Sequence, residues 1–289
     1  MSTFAVVVVQ DVPWPEWRRR AVEVEDLGYD TVHVWDHLVH RTLDETDPLL
    51  DSFGVLSAAA AVTSRIRLGT LVASPTLRHP VLLAKQALTL DHVSGGRLDL
   101  GIGAAGVLRD YEVLGMQPWS KAEQVERFRE TVETVLAISS GERLANVPPP
   151  AQRPLPLTLA AHGPRTLRIA ARHATRWNTI APRDLPAEES LARAAALNAD
   201  LSRLAEEEGR DPASISRSVF LGSRDWPVRE SAAAFADAVR RFRDAGFDDF
   251  VLMYPDHPAD ERTGHGGADP DIVKRVAEVL PDLRAESVS

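Results

Sequence analysis

The sequence predicts a single-domain (β/α)8 barrel, on three observations. Short runs rich in Val, Ile and Leu alternate along the chain with longer stretches of helical period, which is typical of repeated βα units around a parallel sheet. Eight such units can be counted, and eight close most readily into a barrel. The 289 residues are 44% hydrophobic, enough for one sizeable core. We therefore expect one domain over residues 1–289.

Each strand prediction rests on a short segment of apolar and β-branched residues. The predicted strands are Phe4–Val9, Thr31–Asp36, Ile66–Val72, Arg97–Ile102, Leu155–Ala160, Arg176–Ile180, Ser216–Gly222 and Asp249–Met253. Helix starts are indicated by Ser120 with Glu123, which predict a capping box, and by Asp269 before Pro270, which predict an N-cap and a first-turn proline. Apolar residues at spacings of three and four give each helix one stripe that can face the sheet.

Two longer segments interrupt this alternation. They are Asn146–Pro156 with its five prolines and the polar Pro255–Gly267. We expect both to be excursions at the carboxyl face of the strands, where either can cover a substrate. Arg41–Asp51 and Pro255–Gly267 are the candidates for that covering role. Solvated disorder is the alternative for the glycine-containing Pro255–Gly267.

Composition removes several classes of function. The absence of cysteine excludes disulfides, thiolate nucleophiles and cysteine-ligated metals. A formal net charge of −9 without a basic run disfavours nucleic acid and anionic lipid as partners. No stretch approaches the roughly 18 apolar residues of a membrane span, and the N-terminus lacks a basic leader. We therefore expect a cytoplasmic protein.

The end of the second strand is the predicted centre of chemistry. Active sites of such barrels lie at the carboxyl ends of the strands. A period of two places Val32 and Val34 on one face and His33, Trp35 and His37 on the other. The valines suit the helix layer, so the second set is expected to point into the barrel, with His37 nearest the opening.

A metal site is the rival interpretation of His33, Asp36 and His37. Four residues along a strand span about 13 Å, whereas imidazoles sharing one zinc ion must each bring a nitrogen to about 2.0–2.1 Å. We therefore predict no metal. A histidine that merely forms hydrogen bonds in a polar pocket remains an alternative for His37.

Two glycine-containing segments are candidate ligand sites. Gly101, Gly103 and Gly106 form a GxGxxG string, which is weak evidence for a dinucleotide site on a fourth strand. These glycines more plausibly let a planar ligand approach the backbone. The turn Ala160–Arg165 opens a helix, whose free amides and dipole favour an anion such as phosphate. A plain strand-to-helix turn is the alternative.

Three ordered blocks resemble the luciferase-like flavin and deazaflavin oxidoreductases, a family of (β/α)8 barrels. The blocks are GYDTVHVWDHL (Gly28–Leu38), SRIRLGTLVASPTLRHPVLLAKQALTLDHVSGGRLDLGIGA (Ser64–Ala104) and GPRTLRIAARHATRWN (Gly163–Asn178). Their order and spacing match the family over nearly the whole chain.

The resemblance implies a flavin-like ring in the barrel mouth. It assigns Asp36 and His37 to contacts with cofactor and substrate, and it places a non-proline cis peptide behind the ring at Leu71–Val72. The residues that it implies for cofactor binding are Asp36, Leu71, Val72, Ser74, Gly103, Ala104, Ala160, Ala161, His162, Gly163 and Arg165. Of these, the turn from Ala160 to Arg165 would hold the phosphate.

One departure from the family pattern bears on the substrate. Sugar-phosphate dehydrogenases of the family carry a glutamate general acid where this sequence has Gly106. That substrate class is therefore doubtful. The family's usual aromatic residue is also missing here, so Ala104–Gly106 is expected to leave an open pocket floor, and His37 would have to handle the proton alone.

Three functions remain open. The leading hypothesis is hydride transfer between coenzyme F(420) and a small organic substrate, with His37 as the catalytic acid or base. The second is an FMN-dependent monooxygenase, supplied with reduced FMN by a separate flavin reductase, and the third is a non-catalytic flavin-binding protein. The resemblance also implies a homodimer packed through helices of the first units. The substrate itself is not readable.

Overall fold

Eight parallel strands close into a barrel, each paired with the next in chain order and the last with the first. The computed structural model describes residues 2–39, 48–104, 106–144, 146–181, 185–221, 227–255 and 269–286. The strands are β1 Thr3–Val7, β2 Thr31–Val34, β3 Arg67–Thr70, β4 Leu98–Gly103, β5 Leu157–Ala160, β6 Arg176–Ile180, β7 Ser216–Phe220 and β8 Asp249–Met253. The predicted (β/α)8 barrel is confirmed, although β1, β2, β3 and β7 each end two residues earlier than expected.

Helices connect consecutive strands and form the outer layer. They are α1 Trp14–Asp26, α2 Ser52–Ala60, α3 Pro80–Val93, α4 Leu108–Val113, α5 Lys121–Ser139, α6 Pro164–His173, α7 Ala187–Glu207, α8 Ala232–Asp244 and α9 Ile272–Ala285, with a 3₁₀ turn at Pro212–Ser214. The capping box of Ser120 and Glu123 is confirmed. The N-cap prediction at Asp269 is wrong, because α9 begins after Asp271, whose backbone N–H donates to the Asp269 carboxylate.

The two faces of β2 separate as the strand period predicts. Val32 and Val34 are fully buried in the core between sheet and helices. Trp35 packs on the other side, against an apolar cluster in the barrel interior towards the carboxyl ends of the strands. That cluster consists of Ala5, Val7, Phe220, Val251 and Met253.

A polar cluster occupies the barrel interior near the amino ends of the strands. Arg176 forms an ion pair with Asp99, which also accepts a 2.7 Å hydrogen bond from the Thr158 hydroxyl. Burial alone would raise the pKa of Asp99, but Arg176 and the neighbouring charges hold it below its ordinary value. His33 is 2% exposed beside this cluster, and burial lowers its pKa. Burial in the barrel interior therefore favours the neutral form of His33.

The proline-rich segment Asn146–Pro156 lies at the amino ends of the strands, so its predicted position at the carboxyl face is wrong. The amides of Ala151 and Gln152 donate to Asp91. The Gln152 side chain also donates to the carbonyl of Leu98, the first residue of β4. The physical reason is the element order, because a segment that leaves a helix and enters a strand lies at the amino face. This segment cannot cover the active site.

The two segments that are predicted to cover a substrate lie mainly outside the described residues. Of Arg41–Asp51 only residues 48–51 are described, and of Pro255–Gly267 only Pro255. Their predicted covering role stays a prediction. Within the described ranges, no helix combines the length and the apolar content that a membrane crossing requires.

Candidate functional site

Asp36 links the loops that follow β2 and β3. It is 3% exposed, and one carboxylate oxygen accepts the Ser52 hydroxyl at 2.6 Å. The other oxygen accepts the backbone N–H of Ser74 at 2.9 Å and pairs with Arg78. Both oxygens therefore already have donors within the protein. A direct contact between Asp36 and a cofactor stays a prediction, and the structure gives Asp36 an organising role.

His37 does not stand alone at the end of β2. Its Nδ1 lies 2.8 Å from Oδ2 of Asp110, which is 1% exposed in α4. The expectation that His37 handles a proton without an acidic partner is therefore wrong. No periodic pattern could have identified Asp110 as the partner, since 73 positions separate the two residues.

The segment after β3 crosses from the barrel interior to an adjacent cleft. The peptide bond between Leu71 and Val72 is cis, as the family resemblance implied. Leu71 packs against the interior apolar cluster, whereas Val72 lines the cleft. Ser74 does not line that cleft. Its amide donates to Asp36, and its hydroxyl accepts the amide of Thr76 at 3.3 Å.

The cleft has a volume of about 600 Å³ and lies at the carboxyl ends of β4 and β5. Most of the predicted cofactor-binding residues meet in it, and the start of α5 adds residues that the sequence had not suggested. Its lining consists of Val72, Gly103, Ala104, Lys121, Ala122, Gln124, Val125, Ala160, His162, Gly163, Pro164, Arg165 and Thr166. Ala161 does not line it, because its side chain is buried in the core and its carbonyl accepts the Trp177 indole N–H at 2.8 Å.

The order of elements could have suggested the contribution of α5. This helix follows the loop after β4, so its first residues must lie near the carboxyl face of the barrel. Lys121 is the first residue of α5, and Gln124 and Val125 follow within its first turns.

The start of α6 has the features of an anion site. Gly163 is the N-cap and has no side chain to satisfy the first-turn amides, and Pro164 follows it. The backbone N–H groups of Arg165 and Thr166 belong to this first turn, where an α-helix has no internal acceptors. Within the described residues, Arg165 and Lys121 form no ion pair, so both cations remain available to an anion in the cleft.

The floor at Gly106 is filled, so the expectation of an open pocket there is wrong. A Cβ at this position would lie 2.6 Å from Oγ1 of Thr76 and 2.7 Å from the ring of Tyr111. Tyr111 is 1% exposed and its hydroxyl accepts that of Thr76 at 3.3 Å. A glutamate in place of Gly106 would therefore require the buried ring to move. Ala105 lies outside the described residues.

Known proteins support the resemblance. A family model described as luciferase-like monooxygenase matches residues 2–269. An F(420)-dependent glucose-6-phosphate dehydrogenase of Nakamurella multipartita is 28% identical over 279 residues, which cover 92% of this chain and 76% of the relative. A protein of the same name from Beutenbergia cavernae is 36% identical over 166 residues, 52% of this chain and only 48% of that relative.

Solved structures support the fold. An F(420)-dependent secondary alcohol dehydrogenase, solved with an F(420)-acetone adduct, superimposes with a TM-score of 0.80 at 16% identity and covers 98% of this chain and 99% of its own. At that identity the likeness concerns the fold. The family-model match over nearly the whole length carries the assignment, and the chain belongs to the luciferase-like monooxygenase family.

Proposed function

We propose that this protein is an F(420)-dependent oxidoreductase that transfers a hydride to or from a small organic substrate. The observation that carries the proposal is the cleft between Val72 and the start of α6, which joins an apolar wall to an anion site. A cofactor with a planar ring and a phosphate-bearing side chain needs both features. The volume of about 600 Å³ lies within the usual range for small-molecule sites.

The residues present fit such a cofactor. Val72, Ala104 and Val125 offer apolar surface to a ring. The expectation that the glycines of β4 make room for a ligand is wrong, because a Cβ at Gly103 would collide with the Val72 side chain and one at Gly101 with the Thr70 carbonyl. The amides of Arg165 and Thr166 and the side chains of Arg165 and Lys121 offer donors to a phosphate. When bound, coenzyme F(420) would supply the hydride carrier.

His37 supplies the proton chemistry in this proposal. Its side chain is 19% exposed beyond the carboxyl end of β2, and it does not line the cleft itself. Histidine is the side chain that most often acts as a general acid or base, which suits a group that exchanges the proton accompanying a hydride. Asp36, with both oxygens occupied, holds the loop that carries His37.

The substrate in this proposal is not a sugar phosphate, despite the names of the two relatives. The glutamate that the family's sugar-phosphate enzymes carry is replaced by Gly106, and Thr76 and Tyr111 occupy the space into which its side chain would extend. An oxidoreductase with another small substrate fits these residues better.

Titration of the purified protein with F(420) and FMN, each oxidised and reduced, tests the proposal. Absorbance and fluorescence report binding under anaerobic conditions. We expect micromolar or tighter binding of F(420), and binding of neither molecule would contradict the proposal. With F(420) bound, His37→Ala should keep the affinity and lower turnover by roughly 10²–10⁴-fold, as expected for loss of a general acid or base.

The second candidate is an FMN-dependent monooxygenase. The description of the matching family model favours it, since that description names monooxygenases. The same titration distinguishes the two candidates, because tight binding of reduced FMN without binding of F(420) supports the monooxygenase. Oxygen consumption with reduced FMN, supplied by a separate flavin reductase, would then be the activity to measure.

A further inference from the structure

The two carboxylate oxygens of Asp110 have different partners in the loop that follows β2. One oxygen lies 2.8 Å from Nδ1 of His37, and the other accepts the backbone N–H of Leu38 at 2.9 Å. Asp110 is 1% exposed, and it belongs to α4, which follows β4. Asp110 of α4 therefore holds the loop after β2, which carries His37, through two hydrogen bonds.

The contact with Asp110 determines which nitrogen of His37 carries the proton. An ionised carboxylate only accepts hydrogen bonds, so the 2.8 Å contact requires a proton on Nδ1. In the neutral imidazole, Nε2 is then the unprotonated nitrogen. Among the described residues Nε2 has no hydrogen-bond partner, and the ring meets Trp35 edge-on at a centroid distance of 6.3 Å.

We propose that Asp110 is a positioning residue that holds His37 in the tautomer with its proton on Nδ1. When the substrate is oxidised, its hydride passes to oxidised F(420), which is reduced, and Nε2 accepts the proton that leaves the substrate. In the reverse direction the hydride returns from reduced F(420) to the substrate and the Nε2–H bond breaks to return the proton. The link to the substrate's proton rests on the proposed function. The tautomer itself does not, because it follows from the contact in the protein alone.

Asp110→Asn is the informative variant. The asparagine oxygen can still accept the Leu38 N–H, so the loop contact is retained. Its NH₂ group then faces Nδ1 of His37 and needs an acceptor there, which favours the other tautomer, with the proton on Nε2. The matched control is Glu112→Gln on the same helix, because Glu112 is exposed and pairs with Arg109 at 3.0 Å.

The first experiment is ¹⁵N NMR of the imidazole nitrogens in the cofactor-free protein, with His37→Gln used to assign the signals. Neutral His37 should be protonated on Nδ1 in the unmodified protein and in Glu112→Gln, and on Nε2 in Asp110→Asn. An unprotonated Nδ1 in the unmodified protein would overturn the proposal. This result is independent of which cofactor binds.

The second experiment is a double-mutant cycle in turnover with the bound cofactor. Asp110→Asn should lower kcat by roughly 10²–10⁴-fold, leave the cofactor dissociation constant unchanged, and have almost no further effect in a His37→Gln background. An equal loss in both backgrounds would show that Asp110 acts on structure rather than through His37. If F(420) gives no turnover in the unmodified protein, the proposed function fails while the NMR result still decides the role of Asp110.

Discussion

Arg78 donates to Asp36 across the ends of β2 and β3, forming an ion pair in which the side chains are 8% and 3% exposed. Ser52 and the amide of Ser74 complete the surroundings of the carboxylate. The guanidinium of Arg78 also lies over the ring of Phe53, 4.9 Å from its centroid. This buried pair joins the loop that carries His37 to the segment behind the predicted cofactor ring.

Replacing Arg78 should strongly destabilise the protein. Arg78→Gln leaves the charge of Asp36 buried without its cation, and breaking such a pair costs about 3–5 kcal/mol. Arg203→Gln is the control, since Arg203 is 56% exposed in its pairs with Asp200 and Glu207 and such pairs contribute about 0–1 kcal/mol. Urea unfolding measures both free energies, and equal losses would refute the buried role of the Arg78 pair.

Adding a methyl group at Gly106 should destabilise the protein through overpacking. The new Cβ would lie within 2.7 Å of the Thr76 hydroxyl and the rigid ring of Tyr111, and such overpacking typically costs about 1–3 kcal/mol. Thermal unfolding compares Gly106→Ala with the unmodified protein, and a variant of unchanged stability would contradict the filled floor.

Stability should depend on pH through His33. Burial lowers the pKa of His33 below its ordinary value of 6.5, so the unfolded chain binds a proton there that the folded protein does not. His33 should therefore make its full contribution to the free energy of unfolding above pH 6.5. This contribution should fall as the pH decreases towards the folded-state pKa of His33. One such proton contributes at most about 1.4 kcal/mol per pH unit.

Urea unfolding at several pH values between about 5 and 7.5 measures this dependence. His33→Gln should flatten the slope relative to the unmodified protein, whereas His92→Gln, which removes an exposed histidine, should retain it. An unchanged slope in His33→Gln would show that His33 is protonated in the folded barrel.

Features governed by local periodicity were predictable from the sequence. The alternation within β2 placed Val32 and Val34 against the helices and Trp35 inside the barrel, as the structure confirms. The position of Asn146–Pro156 could also have been predicted, because a segment between a helix and the next strand must lie at the amino face of the barrel. Its proline content indicates irregular structure but says nothing about the face.

The contacts that organise the site were not predictable in this way. Asp36 meets Ser74 and Arg78 across 38 and 42 positions, and His37 meets Asp110 across 73. No periodic pattern relates residues so far apart, since the closure of the barrel alone brings their loops together. The sequence therefore predicts at which end of the barrel a site lies, and the structure identifies the partners of the acidic and basic groups there.

We propose that the start of α6 holds the phosphate-bearing side chain of a deazaflavin, and Arg165→Gln removes the cation of that site. Fluorescence titration should show weaker binding of F(420) by this variant, by about 10-fold or more for loss of a charge-assisted contact. Its affinity for the deazaflavin nucleoside that lacks phosphate should stay that of the unmodified protein. Arg168→Gln is the control, because Arg168 pairs with Glu207 and Glu208 instead. Equal affinities of Arg165→Gln and Arg168→Gln for F(420) would contradict the account.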